Sequence, residues 1–244
     1  MPAAARVIVL LPTYDEIANL EWIAGRIRSA LPDADLLILD DDSPDGTGEL
    51  ADRIAARDEH VRVVHRTVKA GLGAAYVDGF RRAIADGYDV IVEIDADGSH
   101  PPESLPAMIA EVEGGAALAI GSRWVPGGSI VGWPKRRELL SRAGNLYTRI
   151  ALGIRVQDAT AGFRAYASRV IAAMDLDSID SKGYCFQVDM TYRLARAGER
   201  IVEVPIEFRE REHGVSKMSG AIVVEAMRRV TRWGLQRLVG AEPR

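Results

Sequence analysis

Two carboxylates one residue apart, Asp95 and Asp97, are the side chains in this sequence best placed to do chemistry. They follow an apolar run over residues 90–94 with the small Ala96 between them, so both can reach one hard divalent cation. Mg2+ or Mn2+ held in this way bridges diphosphate oxygens and offsets the charge that gathers on a departing nucleotide. The same spacing also suits a plain turn, in which Asp and Gly serve only the backbone. Two further polar clusters, Thr13-Tyr14-Asp15-Glu16 and Asp40-Asp41-Asp42-Ser43, also end apolar runs. That shared position favours a site over a turn.

The second acidic cluster continues as Pro44-Asp45-Gly46-Thr47. Carboxylates packed so closely repel one another unless they accept hydrogen bonds or meet a cation. The expectation is that some cap the next helix, with Thr47 or a neighbour at the cap, while one accepts hydrogen bonds from a base or ribose. Lys69-Ala70-Gly71-Leu72-Gly73 either brings N–H groups and a cation to a phosphate or is only a strand-to-helix turn. It has the spacing of neither a Walker loop nor a dinucleotide fingerprint. Arg123, Lys135, Arg136, Arg137 and Arg142 surround a Gly/Pro-rich stretch, and Arg211 and Lys217 flank Gly214. Arginine forks suit phosphate oxygens, although at least two of the first set read as a solvated helix face.

The elements that must hold these residues alternate. Apolar runs predict strands over residues 6–11, 36–39, 61–65, 90–94 and 117–120. Amphipathic patterns predict helices over 17–30, 48–57, 73–85 and 102–113. Such alternation implies right-handed βαβ units and an α/β fold, a mostly parallel sheet with helices on both faces. Ligands in such sheets bind beyond the carboxyl ends of the strands, where all three polar clusters fall. Beyond Arg123 the pattern loosens to a mobile loop over 125–133, helices over 135–152 and 187–197, an edge-type strand over 201–208 and a polar loop over 209–217. A last helix, 221–239, interleaves Ile222, Met227, Val230, Trp233 and Leu238 with Arg228, Arg229, Arg232 and Arg237.

Composition narrows the classes. The chain has 244 residues, 48% hydrophobic and 27% charged, enough for one substantial α/β core. Residues 1–122 carry 10 Lys+Arg against 22 Asp+Glu, and residues 123–244 carry 21 against 13. An acidic half followed by a basic one suits cation binding in the first and anion handling in the second. The lone Cys185 forms no internal disulfide, points to a reducing compartment and reads as a buried small hydrophobe. The apolar run at 7–11 is too short for a signal peptide, and no stretch approaches the roughly 20 apolar residues of a spanning helix. His60, His65, His100 and His213 lack metal-ligand spacing, and none is given a catalytic role. Neither a Gly-x-Ser-x-Gly elbow nor a nucleic-acid-type aromatic and basic pattern is present.

Taken together, the motifs resemble an inverting family-two glycosyltransferase with the GT-A fold. Pro12-Thr13-Tyr14-Asp15-Glu16, the 40–47 cluster, the 69–73 turn, Asp95-Ala96-Asp97 and Gly121-Ser122-Arg123 occur in that family's order. The second half is similar to the polyprenol (dolichol) phosphate mannose synthase branch. There the match rests on Asp158-Ala159-Thr160-Ala161-Gly162-Phe163-Arg164, Gly183-Tyr184-Cys185-Phe186-Gln187 and Phe208 through Arg211 to Gly214-Val215-Ser216-Lys217.

The resemblance implies mannose transfer from GDP-mannose to a polyprenyl or dolichyl phosphate, with Mg2+ or Mn2+ as cofactor. It gives Pro12, Tyr14, Glu16, Leu39, Asp41 and Ala96 to the nucleotide, and Asp95, Asp97 and Ser99 to the metal. Ser99 stands where relatives often carry Gln, a longer ligand. Arg211 and Lys217 fall to the donor phosphates, and Arg123, Arg137 and Ser141 to the acceptor phosphate. Asp97, Arg123 and Arg211 act electrostatically and no general base is assigned, because a phosphate acceptor is already ionised. Glucose transfer from UDP-glucose to the same lipids is the nearest alternative, and a sugar nucleotidyltransferase a more distant one. The implied layout is a catalytic domain over 1–217, divided at 122/123 into a nucleotide and metal half and an acceptor half with its closing loop. The helix in 218–244 then either lies on the cytoplasmic face of a membrane or packs on the domain. The implied location is cytoplasmic and peripheral, with room for a separate membrane-anchoring protein and no nucleic-acid partner.

Overall fold

The computed structural model describes residues 4–67, 71–179, 184–211 and 220–239. The apolar runs pair into a seven-stranded sheet of β1 (Val7–Thr13), β2 (Asp35–Asp40), β3 (Val61–His65), β4 (Val90–Glu93), β5 (Leu118–Ser122), β7 (Arg164–Ala167) and β8 (Ile201–Pro205). Their order is β3-β2-β1-β4-β7-β5-β8. Every neighbouring pair is parallel except those made by β7, which runs antiparallel to both β4 and β5. Strand alternation divides the core into two layers. Ile8, Leu10, Leu37, Leu39, Ile91, Leu118 and Ile120 face one way, and Val9, Leu11, Leu36, Ile38, Val90, Val92 and Ala119 face the other.

Helices α1 (Leu20–Ala30), α2 (Thr47–Ala55) and α4 (Leu105–Glu113) cover the second layer. Helices α3 (Leu72–Ala85), α5 (Lys135–Leu152), α6 (Ser168–Ala172), α7 (Tyr184–Arg196) and α8 (Gly220–Leu238) cover the first. Buried Val230 and Trp233 fix α8, with Trp233 stacked on Tyr192 at 6.2 Å. Gly234 lets α8 approach α5, because a Cβ there would stand 3.0 Å from the Ala151 carbonyl oxygen.

Three features depart from the sequence expectation. Residues 125–133 are not all loop, since β6 (Ser129–Val131) pairs in parallel with β9 (Glu207–Arg209). The expected strand over 201–208 divides at Ile206, which is buried, donates its N–H to the Ser122 carbonyl at 3.1 Å and accepts from Ser129 N–H at 3.0 Å. One strand thereby becomes two, serving two sheets. The third is β7, four residues whose anchor is a fully buried arginine. Arg164 donates through Nε to the Ala161 carbonyl at 2.7 Å, through Nη2 to the Ala159 carbonyl at 2.8 Å and through Nη1 to Thr191 Oγ1 at 3.0 Å. Its register partner Glu93 is also buried, and burial pushes that carboxyl up to about 8.

Arg164→Leu leaves two carbonyls unsatisfied and a buried Glu93 without its neighbouring cation. The expected cost is about 3–5 kcal/mol in guanidinium denaturation. A loss under about 1 kcal/mol would show that water replaces the guanidinium.

Candidate active site

The sheet reverses its direction of build between β1 and β4, since β1 pairs with β2 on one side and β4 on the other. Crevices form beyond such points, and Thr13–Glu16 and Asp95–Asp97 both stand there. The Asp95 turn is tightly specified. Gly98 has φ +73°, and a Cβ on it would come within 2.5 Å of the Trp22 ring, which lies against it. Asp97 Oδ1 accepts the Ser99 N–H at 3.0 Å, so one oxygen of the expected ligand also holds the turn. Asp97 Oδ2 pairs with Arg211 Nη2 at 2.8 Å, and Asp95 Oδ1 accepts from the Tyr76 hydroxyl at 3.3 Å.

These carboxylates are short of positive charge. Burial first, then the Asp97 charge, pushes the Asp95 carboxyl up to about 7, against the opposing pull of Arg211. A divalent cation at this place would relieve that strain, and the oxygen donors Asp95, Asp97 and Ser99 suit a hard one. Among the described residues no group of three or more His, Cys, Asp or Glu forms a closed cage. The two carboxylates would therefore leave positions for diphosphate oxygens and water.

The β1 and β2 ends sort the acidic residues by role. Asp40 Oδ1 accepts from Thr13 Oγ1 at 2.8 Å and Ser43 Oγ at 2.6 Å, binding the two strand ends together. Asp45 accepts the Thr47 N–H at 3.0 Å and the Ile17 N–H at 3.2 Å. The start of α2 is thus held by Asp45, and Thr47 Oγ1 instead receives the Glu16 N–H at 3.0 Å. Asp41 forms a buried ion pair with Arg66. Asp15 and Asp42 are the non-glycine residues with positive φ among those described, at 54° and 57°. Left-handed backbone at both strand ends marks a shaped rim, not ordinary loop. Pro12, Tyr14 and Glu16 are half-buried along this rim, while Leu39 and Ala96 are buried and offer a ligand only main chain.

The other wall of the cleft carries Arg123 and Arg137. Arg123, 7% exposed, donates through Nε and Nη2 to the two oxygens of Asp158, both at 2.7 Å, and its N–H bonds Asp158 as well. Asp158 is itself fixed, for Glu203 receives the N–H groups of Gln157 and Asp158 at 2.7 and 2.9 Å and the Ser122 hydroxyl at 2.8 Å. Rings of Trp124, Trp133 and Phe208 surround the Arg123 guanidinium at 5.5, 5.5 and 5.3 Å. Arg137 stacks on Trp133 at 4.0 Å and pairs with Glu210 at 2.5 Å. Ser141 lies one turn along α5 and is not among the side chains lining the cleft, although its carbonyl accepts from Asn145, which also holds Thr160. Lys135, Arg136 and Arg142 are exposed. Lys69, Ala70, Gly214 and Lys217 lie outside the described residues.

Sequence reasoning missed Tyr76, Arg66 and Trp133. The run from Phe208 through Arg211 is part of the resemblance, which gives Phe208 and Glu210 no role although both stand in the motif that carries Arg211. His100, set aside for lack of metal spacing, lines the cleft between Phe163 and Phe208, both at 5.3 Å, with Nδ1 buried and unpartnered. Burial pulls its pKa down to about 4, so the ring is neutral at pH 7.

The family model described as "Glycosyl transferase family 2" matches residues 8–182. The chain is 59% identical over 230 residues to an undecaprenyl-phosphate mannosyltransferase of Micrococcus luteus, covering 94% of each chain. It is 53% identical over 232 residues to a polyprenol monophosphomannose synthase of Mycolicibacterium smegmatis, covering 95% of this chain and 88% of that one. The fold is similar to that of glucosyl-3-phosphoglycerate synthase from Mycobacterium tuberculosis, solved with Mn2+ and UDP-glucose. That likeness has a TM-score of 0.65 at 22% identity and covers 98% of this chain and 80% of that one.

Asp158→Asn strips the charge partner from a buried guanidinium. Denaturant titration is expected to show a loss of about 3–5 kcal/mol. Near-wild-type stability would mean that Arg123 draws its compensation from elsewhere.

Proposed function

The chain belongs to glycosyl transferase family 2, and within it we propose transfer of mannose from GDP-mannose to a polyprenyl (dolichyl-type) monophosphate, with inversion at the anomeric carbon. The observation that carries this reading is one cleft with Asp95 and Asp97 at one end and Arg123, Arg137 and Arg211 around it. A nucleoside diphosphate and a second phosphate need that distribution of charge. The relatives named for undecaprenyl and polyprenol phosphate supply the lipid and the sugar.

The chain's own residues divide the work. Pro12, Tyr14, Glu16, Leu39, Asp41 and Ala96 hold the nucleotide along the β1 and β2 rim. Asp95, Asp97 and Ser99 hold Mg2+ or Mn2+, which supplies charge neutralisation for the departing diphosphate. Arg211 adds a second positive group there, and Lys217 is given the same task. Arg137, with Ser141 a turn beyond it, takes the acceptor phosphate, while Arg123, locked by Asp158, contributes field and shape. The acceptor oxygen carries no proton to remove, so a neutral His100 costs the reaction nothing and positioning supplies the rate.

No helix among the described residues is long and apolar enough to cross a membrane. Contact with lipid falls instead to α5 and α8, which meet at a Tyr147–Thr231 hydroxyl contact of 2.6 Å. On these helices α5 exposes Leu139 (70%) and Ile150 (71%), and α8 exposes Leu235 (60%) and Leu238 (76%). Exposed Arg136, Arg142, Arg228 and Arg232 lie on the same two helices. Apolar side chains and arginines exposed together suit the surface of an anionic bilayer, here its cytoplasmic face.

Purified protein with GDP-mannose, Mn2+ and polyprenyl phosphate is expected to yield mannolipid, and Asp97→Ala to lower turnover about a thousandfold. Product from UDP-glucose but not GDP-mannose would reject the donor assignment, and undiminished turnover by Asp97→Ala the metal site. The double variant Leu139→Ser/Ile150→Ser is expected to bind anionic vesicles about tenfold more weakly in sedimentation. Unchanged binding would place the membrane contact elsewhere.

A further inference from the structure

Residues 207–211 connect the two ends of the cleft. β9 pairs with β6, and the ladder runs one residue further, with Glu210 N–H on the Val131 carbonyl at 2.9 Å. Arg209 N–H bonds the Ser99 carbonyl at 3.1 Å, tying the same segment to the turn that carries Asp97. From its end two consecutive side chains reach different walls. Glu210 accepts from Arg137 Nη1 at 2.5 Å, and Arg211 Nη2 pairs with Asp97 at 2.8 Å. Gly132 makes room for Glu210, since with φ +92° its Cβ position is 3.0 Å from Glu210 Cβ.

Both arginines that the proposed function gives to phosphates are therefore held by carboxylates of the chain itself. Arg137 is only half used, because its Nε is buried without a hydrogen-bond partner. A phosphate would complete that fork, but the Glu210 charge stands in its way, and like charges at such a distance oppose binding. Glu210 is partly exposed, at 39% of its side chain, so the pair is of the weak, exchangeable kind.

We propose that Glu210 is a positioning residue that withholds Arg137 from the acceptor phosphate until the donor diphosphate draws Arg211 away from Asp97. Glu210 and Arg211 are consecutive, so a shift of this segment that turns Arg211 toward a diphosphate would also draw Glu210 off Arg137. Donor and acceptor phosphates are thereby coupled, each favouring the other. This rests on the reading of Arg137 as the acceptor's partner.

The test is calorimetric binding of farnesyl phosphate to the full chain, with and without GDP and Mn2+. Wild type is expected to bind it about tenfold more tightly when GDP and Mn2+ are present, an ordinary size for coupling between sites. Glu210→Gln is expected to bind at the tighter affinity in both states and to unfold at the wild-type temperature. Linkage requires farnesyl phosphate to tighten GDP by the same factor in wild type and by none in Glu210→Gln. A structural surface pair would move neither ratio. If Glu210→Gln keeps the wild-type ratio, or wild type shows none, the proposal is overturned. Arg137→Gln separates the two levels of inference. Weakened farnesyl phosphate binding in this variant leaves any failure with Glu210 alone, whereas unchanged binding overturns the acceptor assignment and the coupling with it.

Discussion

Carboxylates buried side by side are tolerable only where positive charge reaches them, and Asp95 with Asp97 impose that condition on everything around them. Arg211 answers part of it, and the Tyr76 hydroxyl another part, yet the Asp95 carboxyl still stands near 7. The turn that holds the pair is built without slack, from a left-handed Gly98 under the Trp22 ring and an Asp97 that bonds its own backbone two residues on. The cost of keeping charges in such a place is set against two apolar layers on either side of the sheet.

The same tension recurs across the cleft in milder forms. Asp158 and Arg123 satisfy one another almost completely, with three hydrogen bonds and a ring of aromatic faces, and so behave as architecture. Arg137 with Glu210 and Arg211 with Asp97 lie nearer the solvent and use only part of each guanidinium. Burial thus grades three arginines that look alike in the sequence, Arg123 being enclosed and Arg137 and Arg211 more exposed. Arginine's fork makes the distinction sharp, since a partner either fills it or leaves donors to be claimed.

How much of this was legible in the sequence follows from how local each cause is. Strands β1, β2, β4 and β5 announce themselves because strands covered on both faces read as near-continuous apolar runs, and the polar clusters at the ends of β1, β2 and β4 are then placed without further information. Strand β7 announces nothing. It is four residues long, opens on an arginine, and owes its place to Ala159, Ala161 and Thr191, none of which signals a strand. The β6–β9 ribbon joins segments nearly eighty residues apart and was invisible for the same reason. The resemblance identified Arg123 and Arg137 as a matched pair, but only their partners, Asp158 and Glu210, tell them apart. The final helix was read as either packed or facing lipid. Val230 and Trp233 point inward and Leu235 and Leu238 outward, so one helix has apolar surface for both.

These gradations bear on how the proposed transfer, to which no base is assigned, would work. An ionised phosphate needs no activation, so the barrier left to lower is that of bringing two anions together and letting a third depart. A cleft of open arginines would bind either phosphate in any order, including an acceptor with no donor beside it. Arginines already partnered by carboxylates bind a phosphate against the partner's charge, and moving that partner changes the charge felt next door. Glu210 and Arg211 are consecutive, in a segment tied to Val131 through Glu210 and to Ser99 through Arg209. The proposed coupling of the two phosphates would follow from that connectivity.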